Sequence, residues 1–372
     1  MKNSENRGMS RRSFLQGALG GATALGIGPT LLFPKPAAAF AGGESPHPHI
    51  SALRVVGVED PKMTRELIPK CHWSLQGELV ADQVVAERLD LLALALSGEK
   101  QARDAWQAIF LKPPTKSWSE VRVGIKANGI GRHYVRTAVL GGICRVLIEH
   151  LGVKAGNIAI YDGVHGDKLA RVLPEGRLPP GCRVVGKWDG ITLPVVIPGP
   201  WKDGRSKSNC LRNLGAGEVD ILVNTALCKG HARRFGGFTM TMKNHLGTFE
   251  PRWAHSLGSS DYLFAINKTA EILGSLCPDS GRVLFPRQQL CLVDALWASE
   301  GGPDADASCQ PNRLFMGVFA PVLDYQVASR FRAEVMNWEV DMGMLPRFLT
   351  EYGFRKEDLP NGGKIIDALG AA

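Results

Sequence analysis

The sequence predicts an α/β fold with a central, mostly parallel sheet flanked by helices. An apolar run at residues 121–125, a segment with helical spacing and a second apolar run at 158–161 follow one another in the order of a βαβ unit. The strands of such a unit are parallel neighbours. Further apolar runs of strand length alternate with helical segments along the chain, which favours the same class.

Before this unit, the chain is predicted to form one strand and two helices. The strand is the apolar run at residues 53–58. Asp82 is expected to cap a helix that extends to Leu96, because apolar residues recur at helical spacing after it. A second helix is expected over residues 101–110, and the prolines that follow it would end it.

The βαβ unit brings polar residues to the ends of its strands. Its first strand is followed by Lys126 and Asn128, and its second strand by Asp162. Ligands of open α/β sheets bind beyond the carboxyl ends of the strands. We therefore expect Lys126, Asn128 and Asp162 on one edge of the sheet.

A Pro- and Gly-rich segment, residues 171–218, is predicted to be an irregular insertion or a set of edge hairpins. After it, residues 221–223 have the composition of a buried strand. A polar segment punctuated by glycine follows and carries Lys229 and His231. Residues 238–243 alternate between apolar and polar types, which predicts another strand.

The C-terminal part is predicted to complete the sheet. A helix is expected over residues 261–276. A strand over residues 289–293 leads to Asp294 and to a polar turn that contains Glu300. The last predicted strand, residues 314–319, precedes a helix with apolar residues four positions apart.

Residues 1–41 are predicted to be an export signal. The run from Ser10 to Leu15 resembles the twin-arginine translocation motif, and a short apolar region and small residues suited to cleavage follow it. This interpretation predicts a periplasmic protein that the twin-arginine translocase carries already folded, with a single α/β domain over residues 42–372. A membrane anchor is the alternative, although the apolar region is short for a spanning helix.

The charge of the chain gives little support to nucleic-acid binding. Half of the net charge of +8 lies in the first 41 residues, and the sequence has no stripe of Lys and Arg interleaved with aromatic residues. The mild positive charge of the remainder suits an anionic small molecule, which is the predicted ligand.

The eight cysteines do not indicate a cofactor. No two of them have the C-x-x-C spacing, so the sequence implies neither an iron–sulfur array nor a haem attachment site, although a cluster assembled from scattered cysteines stays open. We expect buried, small apolar residues with one or two periplasmic disulfides.

The predicted site is rich in cations, with amides and a few carboxylates: Lys126, Asn128, Asp162, Lys229, His231, Lys243, Asn244, Asp294 and Glu300. The lysines would neutralise a phosphate or carboxylate, and the two asparagines would orient it. His231 or His245 would act as a general acid–base or as a metal ligand, with Lys229 and Lys243 beside it. The carboxylates would bind a hydroxyl or a hard cation.

Each of these residues has a structural alternative. Lys126 can be a surface lysine, Asp294 can cap the following turn, and a histidine in a loop is more often solvated than catalytic. Gly129 and Gly131 do not extend into a dinucleotide fingerprint, and the sequence contains no P-loop, zincin motif or nucleophile elbow.

An ordered set of short motifs resembles a known family. The set comprises Val123, Ile125, Lys126, Asn128, Tyr161-Asp162-Gly163, the run 220–224, Lys229, His231, Lys243, Asn244, Gly247 and the run 293–303. Over about residues 120–335, it resembles domain-of-unknown-function family 362. The resemblance implies a common fold and site but no established reaction. Members are sometimes joined to iron–sulfur ferredoxin modules, and this chain lacks such a cysteine array.

The chain departs from the family pattern after its last strand. The family tends to show an Asp-Pro-x-x-x-Asp segment there, and this chain begins the segment with Ala320-Pro321 and ends it with Asp324. The resemblance implies a ligand role for Asp324. If the missing first carboxylate is a ligand or a base in relatives, this protein would have an altered or lost activity.

The sequence leaves several functions open. The first is a periplasmic enzyme or cofactor protein that acts on a small anionic ligand, with His231 handling protons or a metal and Asp162 and Asp294 completing the pocket. The second is a non-catalytic accessory protein of a periplasmic redox system that binds a metal, an iron–sulfur centre or a redox partner. A third is a ligand-binding protein without chemistry.

Overall fold

An eight-stranded sheet organises the part of the chain that the computed structural model describes: residues 40–164, 166–173, 176–185, 192–199, 205–251, 254 and 260–371. Contacts group Ala38–Ala372 into one unit. Nearly all of the predicted export signal, residues 1–39, lies outside the described residues. Within them, none of the helices combines the length and the apolar composition needed to cross a membrane.

The strands alternate with helical segments along much of the chain. The strands are β1 (Val55–Glu59), β2 (Val123–Ala127), β3 (Ile158–Tyr161), β4 (Arg183–Val185), β5 (Thr192–Pro198), β6 (Arg205–Leu211), β7 (Ile221–Leu227), β8 (Lys229–Gly230), β9 (Phe238–Thr239), β10 (Gly274–Leu276), β11 (Val283–Pro286), β12 (Gln288–Ala295), β13 (Arg313–Gly317) and β14 (Ile366–Asp367).

The helices are α1 (Trp73–Leu79), α2 (Asp82–Ser97), α3 (Ala102–Ile109), α4 (Thr137–Arg145), α5 (Gly166–Val172), α6 (Arg212–Gly215), α7 (Thr241–Asn244), α8 (Ser260–Ile266), α9 (Ala270–Leu273), α10 (Ala320–Gln326) and α11 (Arg347–Thr350). Two π-helical segments, Val146–His150 and Val327–Val335, continue α4 and α10.

The main sheet has the order β14-β1-β13-β12-β7-β2-β3-β4. The five strands from β12 to β4 are parallel to their neighbours, whereas β13 runs antiparallel to both β12 and β1. The predicted α/β class with a mostly parallel sheet is therefore confirmed, as is the parallel pairing of β2 with β3.

Apolar side chains cover both faces of this sheet. In β7, Leu222 belongs to one buried cluster and Ile221 and Val223 to the other, because alternate side chains of a strand point to opposite faces. Helices α2 and α4 pack into the second cluster, and α8 and α10 into the first. Burial on both faces explains why these strands are continuous apolar runs.

The Pro- and Gly-rich segment contributes to two sheets. Strand β4 pairs with β3 at the edge of the main sheet. Strands β5 and β6 form a separate antiparallel pair over Thr192–Pro198 and Arg205–Leu211. Residues 186–191 and 200–204 of this segment lie outside the described residues.

The strand predicted over residues 238–243 was wrong beyond Thr239. The chain turns there into α7, whose first backbone N–H groups donate to the carboxylate of Asp324, from Thr241 at 2.9 Å and from Met242 at 2.9 Å. A carboxylate at a helix N-terminus satisfies donors that have no partner within the helix. Local alternation in the sequence does not contain this distant partner.

The single helix predicted over residues 261–276 is broken into α8 and α9, and its last residues form β10. Between the two helices, the Asn267 amide donates to the carbonyl oxygens of Leu263 and Met242, and the Thr269 hydroxyl donates to that of Ile266. Side chains of this kind compete with helical hydrogen bonds and favour helix ends.

Candidate functional site

The register of the parallel strands brings polar residues together at the carboxyl edge of the sheet. Lys126, near the end of β2, lies opposite Tyr161 of β3 and Asn224 of β7. Asp162 follows β3 directly, so its carboxylate oxygen Oδ2 lies 3.1 Å from Lys126 Nζ. This is the edge at which α/β sheets bind ligands.

A cavity of about 220 Å³ opens at this edge. Six of the predicted site residues line it: Lys126, Asn128, Asp162, His231, Lys243 and Asn244. Apolar side chains of Ile130, Val164, Leu246, Pro251 and Pro303 complete the wall. The structure thus brings together predicted residues from four separate regions of the chain.

A larger cleft of about 650 Å³ lies beside β1 and β14. Its arginines are matched by acids within the cleft, since Arg313 pairs with Glu59 and Arg330 pairs with Glu334. The smaller cavity is therefore the better candidate for a charged ligand.

Lys126 is fully engaged by the protein. Its ammonium donates to the carbonyl oxygen of Ala127 at 2.7 Å, to Asp162 Oδ2 at 3.1 Å and to Asn244 Oδ1 at 2.9 Å. An ammonium has three N–H donors, and all three are used here. Burial lowers the pKa of Lys126, and the charge of Asp162 opposes that shift. Lys126 therefore supplies charge to the cavity and leaves no N–H for a ligand.

Gly247 allows this ion pair to form. A Cβ atom at Gly247 would lie 2.7 Å from Asp162 Oδ1 and 2.8 Å from Lys126 Nζ, closer than side-chain atoms approach each other. The backbone carbonyl of Gly247 also accepts a 2.7 Å hydrogen bond from Gly163 N. These contacts give a physical reason for a glycine three residues after Asn244.

Lys229 lies behind the cavity wall and holds the loop that follows β2. Its ammonium donates to Asn128 Oδ1 at 3.1 Å and to the carbonyl oxygens of Ile130 at 2.7 Å and His133 at 3.0 Å. Burial lowers the pKa of Lys229 to about 7. The contact also fixes the Asn128 amide, because Oδ1 must accept and Nδ2 is left as a donor.

Lys243 and His231 contact each other in the wall of the cavity. Lys243 Nζ contacts His231 Nε2 and lies 4.5 Å from the centre of the Phe235 ring. Burial and then the charge of Arg234 lower the pKa of Lys243 to about 7. His231 Nδ1 accepts a hydrogen bond from Ala232 N at 2.7 Å, which assigns the ring proton of a neutral His231 to Nε2.

Asn244 positions Lys126. While its Oδ1 accepts from Lys126, its Nδ2 donates to Asn224 Oδ1 and to the carbonyl oxygens of Lys126 and Thr225. The neighbouring His245 is fully buried and contacts Gln288 Oε1 at 2.6 Å. Burial lowers the pKa of His245 to about 3, so it stays neutral and acts as a core residue.

Three predicted carboxylates lie outside the residues that line the cavity. Asp294 is buried and accepts from the backbone N–H groups of Arg136 and Leu296. Glu300 is exposed. Asp324 caps α7, and burial raises its pKa to about 7 because desolvation outweighs three hydrogen bonds that favour the charged form.

Two buried residues of this region were not predicted from the sequence. Arg136 is 3 % exposed, and its Nε atom lies 3.9 Å from Asp294 Oδ2. His133 is buried, and neither of its ring nitrogens has a hydrogen-bond partner among the described residues. Both follow the glycine-rich loop after β2, where no local spacing signals a role.

All eight cysteines are free thiols in this structure. Interaction with the Cys182 thiol, followed by burial, raises the pKa of Cys144. Across the described ranges, no group of three or more His, Cys, Asp or Glu side chains is arranged to hold a metal ion.

Comparison with known proteins gives one match. The model of a family described as "Domain of unknown function (DUF362)" matches residues 123–329, more than half of the chain. The matched region begins at β2 and includes every residue of the cavity named above. No curated protein and no solved structure matches the chain.

Proposed function

The chain belongs to the DUF362 family, and from that premise we propose that it binds a small anionic molecule in the cavity at the carboxyl edge of its sheet. The observation that carries the proposal is the state of Lys243. In the described part of the chain, no carboxylate lies within 4.0 Å of its Nζ atom, although Lys126 in the same cavity is paired with Asp162. A protonated Lys243 therefore has no ion-pair partner among the described residues, and the charge of Asp304 acts on it only from beyond that distance.

Two donors face the ligand directly. Lys243 provides the charge, and Asn128 provides the Nδ2 donor that its contact with Lys229 leaves unused. Charge-assisted hydrogen bonds of this kind are among the strongest in proteins. Lys126, Asp162, Lys229 and Asn244 hold these groups in place.

The size of the cavity limits the ligand. Pockets for drug-sized ligands measure about 300–1,000 Å³, and this cavity measures about 220 Å³. We therefore propose a compact metabolite, such as a small carboxylate or inorganic phosphate, as the anion.

Thermal unfolding in the presence of small anions tests this proposal. Phosphate, acetate and oxalate are each titrated into the wild type, Lys243→Met and Lys100→Met, the last being an exposed lysine that serves as the control. A ligand that binds only the folded state raises Tm with concentration. We expect the rise in the wild type and the control but not in Lys243→Met. Equal rises in Tm in all three proteins would show that the anion does not bind at Lys243.

Export by the twin-arginine route is a separate part of the proposal. It is supported by the sequence from Ser10 to Leu15, with Arg11 and Arg12 at its centre. Residues 1–41 fused to a folded reporter are expected to carry it to the periplasm, and replacement of both arginines by lysine is expected to stop this. Equal export of both fusions would argue against the twin-arginine route.

A further inference from the structure

We propose that Lys243 is a nucleophile that forms an imine with the carbonyl group of a small oxoacid bound in the cavity. This inference rests on the proposed function and narrows its ligand to a molecule that carries both a carbonyl group and a carboxylate. It starts from a comparison of the three lysines near the cavity.

The three lysines differ in how many hydrogen bonds the protein provides. Lys126 and Lys229 each have three acceptors, which match the three N–H groups of an ammonium and hold each nitrogen in its protonated geometry. Lys243 contacts His231 and the face of the Phe235 ring. Its nitrogen is therefore the one of the three that can lose a proton without leaving a backbone acceptor unpaired.

The surroundings of Lys243 favour the neutral amine. Its Nζ atom lies 4.5 Å from the centre of an aromatic ring, and burial and the charge of Arg234 both disfavour a second cation there. With the pKa of Lys243 lowered to about 7, about half of the amine is neutral at pH 7, whereas an ordinary lysine is almost fully protonated. Desolvation beside another cation is a recognised way to activate a lysine nucleophile.

Residues near Lys243 can interact with both the carbonyl group and the carboxylate of an oxoacid. The carbonyl carbon would meet Lys243 Nζ. Arg234 is exposed and does not line the cavity, but its guanidinium lies 5.3 Å from the centre of the same Phe235 ring and adds positive charge near Lys243 that favours a carboxylate. Asn128 Nδ2 is placed to donate to the carbonyl oxygen or to the carboxylate.

His231 completes the chemistry of imine formation. The lone pair of Nζ adds to the carbonyl carbon, and one proton of the new ammonium passes to the carbonyl oxygen to give a carbinolamine. The protonated form of His231 then donates its Nε2 proton to the hydroxyl group, which leaves as water while the C=N bond forms. Nε2 finally takes the N–H proton of the iminium, so one water is released and His231 ends unchanged.

Reductive trapping tests this inference. The protein is incubated with glyoxylate or pyruvate and sodium cyanoborohydride, which reduces an imine to a stable secondary amine, and the modified residue is located by peptide mass spectrometry. We expect one adduct at Lys243. His231→Gln is expected to slow its formation at least about tenfold.

Lys243→Arg separates this inference from the proposed function. An arginine keeps the positive charge but cannot form an imine under these conditions, so the variant should keep the thermal shift with oxalate and lose the adduct. Two results would contradict imine formation at Lys243 even if the thermal shift with oxalate is present. One is a set of adducts spread over exposed lysines in both proteins, and the other is the absence of any adduct. Absence of any anion shift in the wild type would overturn the proposed function itself.

Discussion

Lys126 Nζ lies 3.1 Å from Asp162 Oδ2 across the parallel pair β2 and β3, with both side chains almost fully removed from solvent. Each partner is also bound by the backbone, since Asp162 accepts from Gly129 N and Val164 N. The pair therefore joins the loops that follow the two strands. Breaking an ion pair as buried as this one is expected to cost more stability than the intact pair contributes through its net attraction.

Removal of one partner of this pair is expected to destabilise the protein. Lys126→Met removes the Lys126 ammonium from the buried Asp162 carboxylate, and a loss of about 3–5 kcal/mol in the free energy of unfolding is expected. The double variant Lys126→Met with Asp162→Asn should recover part of that loss, because the buried carboxylate charge is removed together with the ammonium. Urea unfolding measures all of these values. A loss below about 1 kcal/mol in the single variant would contradict the burial of the pair.

Gly247→Ala tests the close approach of the backbone to the same pair. The added Cβ would lie 2.7 Å from Asp162 Oδ1, so the pair has to move, at a cost of about 1–3 kcal/mol and with loss of the anion-induced thermal shift. Gly156→Ala is the matched control, because no described atom lies within 4 Å of its added Cβ. If both variants unfold at the same temperature as the wild type, Gly247 has more room than its contacts indicate.

Asp324 is expected to make stability depend on pH. Its pKa is raised from 3.8 to about 7. Between about pH 4 and pH 7, the folded state therefore keeps a proton that the unfolded state has released. The stability that this group contributes is therefore present at low pH and is lost as the pH rises toward 7.

Asp324→Asn removes this contribution. The amide group of asparagine would face the Met242 N–H, so a buried donor loses its acceptor and about 1–3 kcal/mol is lost. The difference between wild type and variant in urea unfolding should be larger at pH 5 than at pH 8. A difference that grows with pH would show that the carboxylate, not the carboxylic acid, is the stable form in the folded protein.

Anion affinity is expected to fall as the pH rises. An anion without a carbonyl group binds the protonated form of Lys243, whose pKa is about 7, so affinity for oxalate should decrease by about tenfold per pH unit above pH 7. Titration calorimetry between pH 6 and pH 9 measures this. Lys243→Arg keeps its charge throughout, so its affinity for oxalate should stay constant over this pH range.

The edge of the sheet could be predicted from the sequence, whereas the role of each residue at that edge could not. Apolar runs ending at Lys126 and Asp162 place those residues correctly, because the carboxyl ends of parallel strands share one edge. The sequence does not reveal how many acceptors surround Lys229, since two of them are backbone carbonyls of a loop. For the same reason, Asp294 and Asp324 looked like ligands although backbone N–H groups occupy their oxygens.

Cys144 and Cys182 are expected to form a disulfide if the protein reaches an oxidising compartment. The two thiols interact closely enough for Cys182 to raise the pKa of Cys144, and a bond between them would join α4 to the segment before β4. Oxidised glutathione would take up the two electrons and release two reduced glutathione molecules as the S–S bond forms. Closing the chain between the two residues should stabilise the fold by about 2–4 kcal/mol. Alkylation after unfolding, followed by mass spectrometry, should show six modified cysteines after oxidation and eight after reduction. Eight in both samples would exclude this pair, and so would a loss of two modified cysteines on oxidation of Cys182→Ser, which has seven cysteines in all.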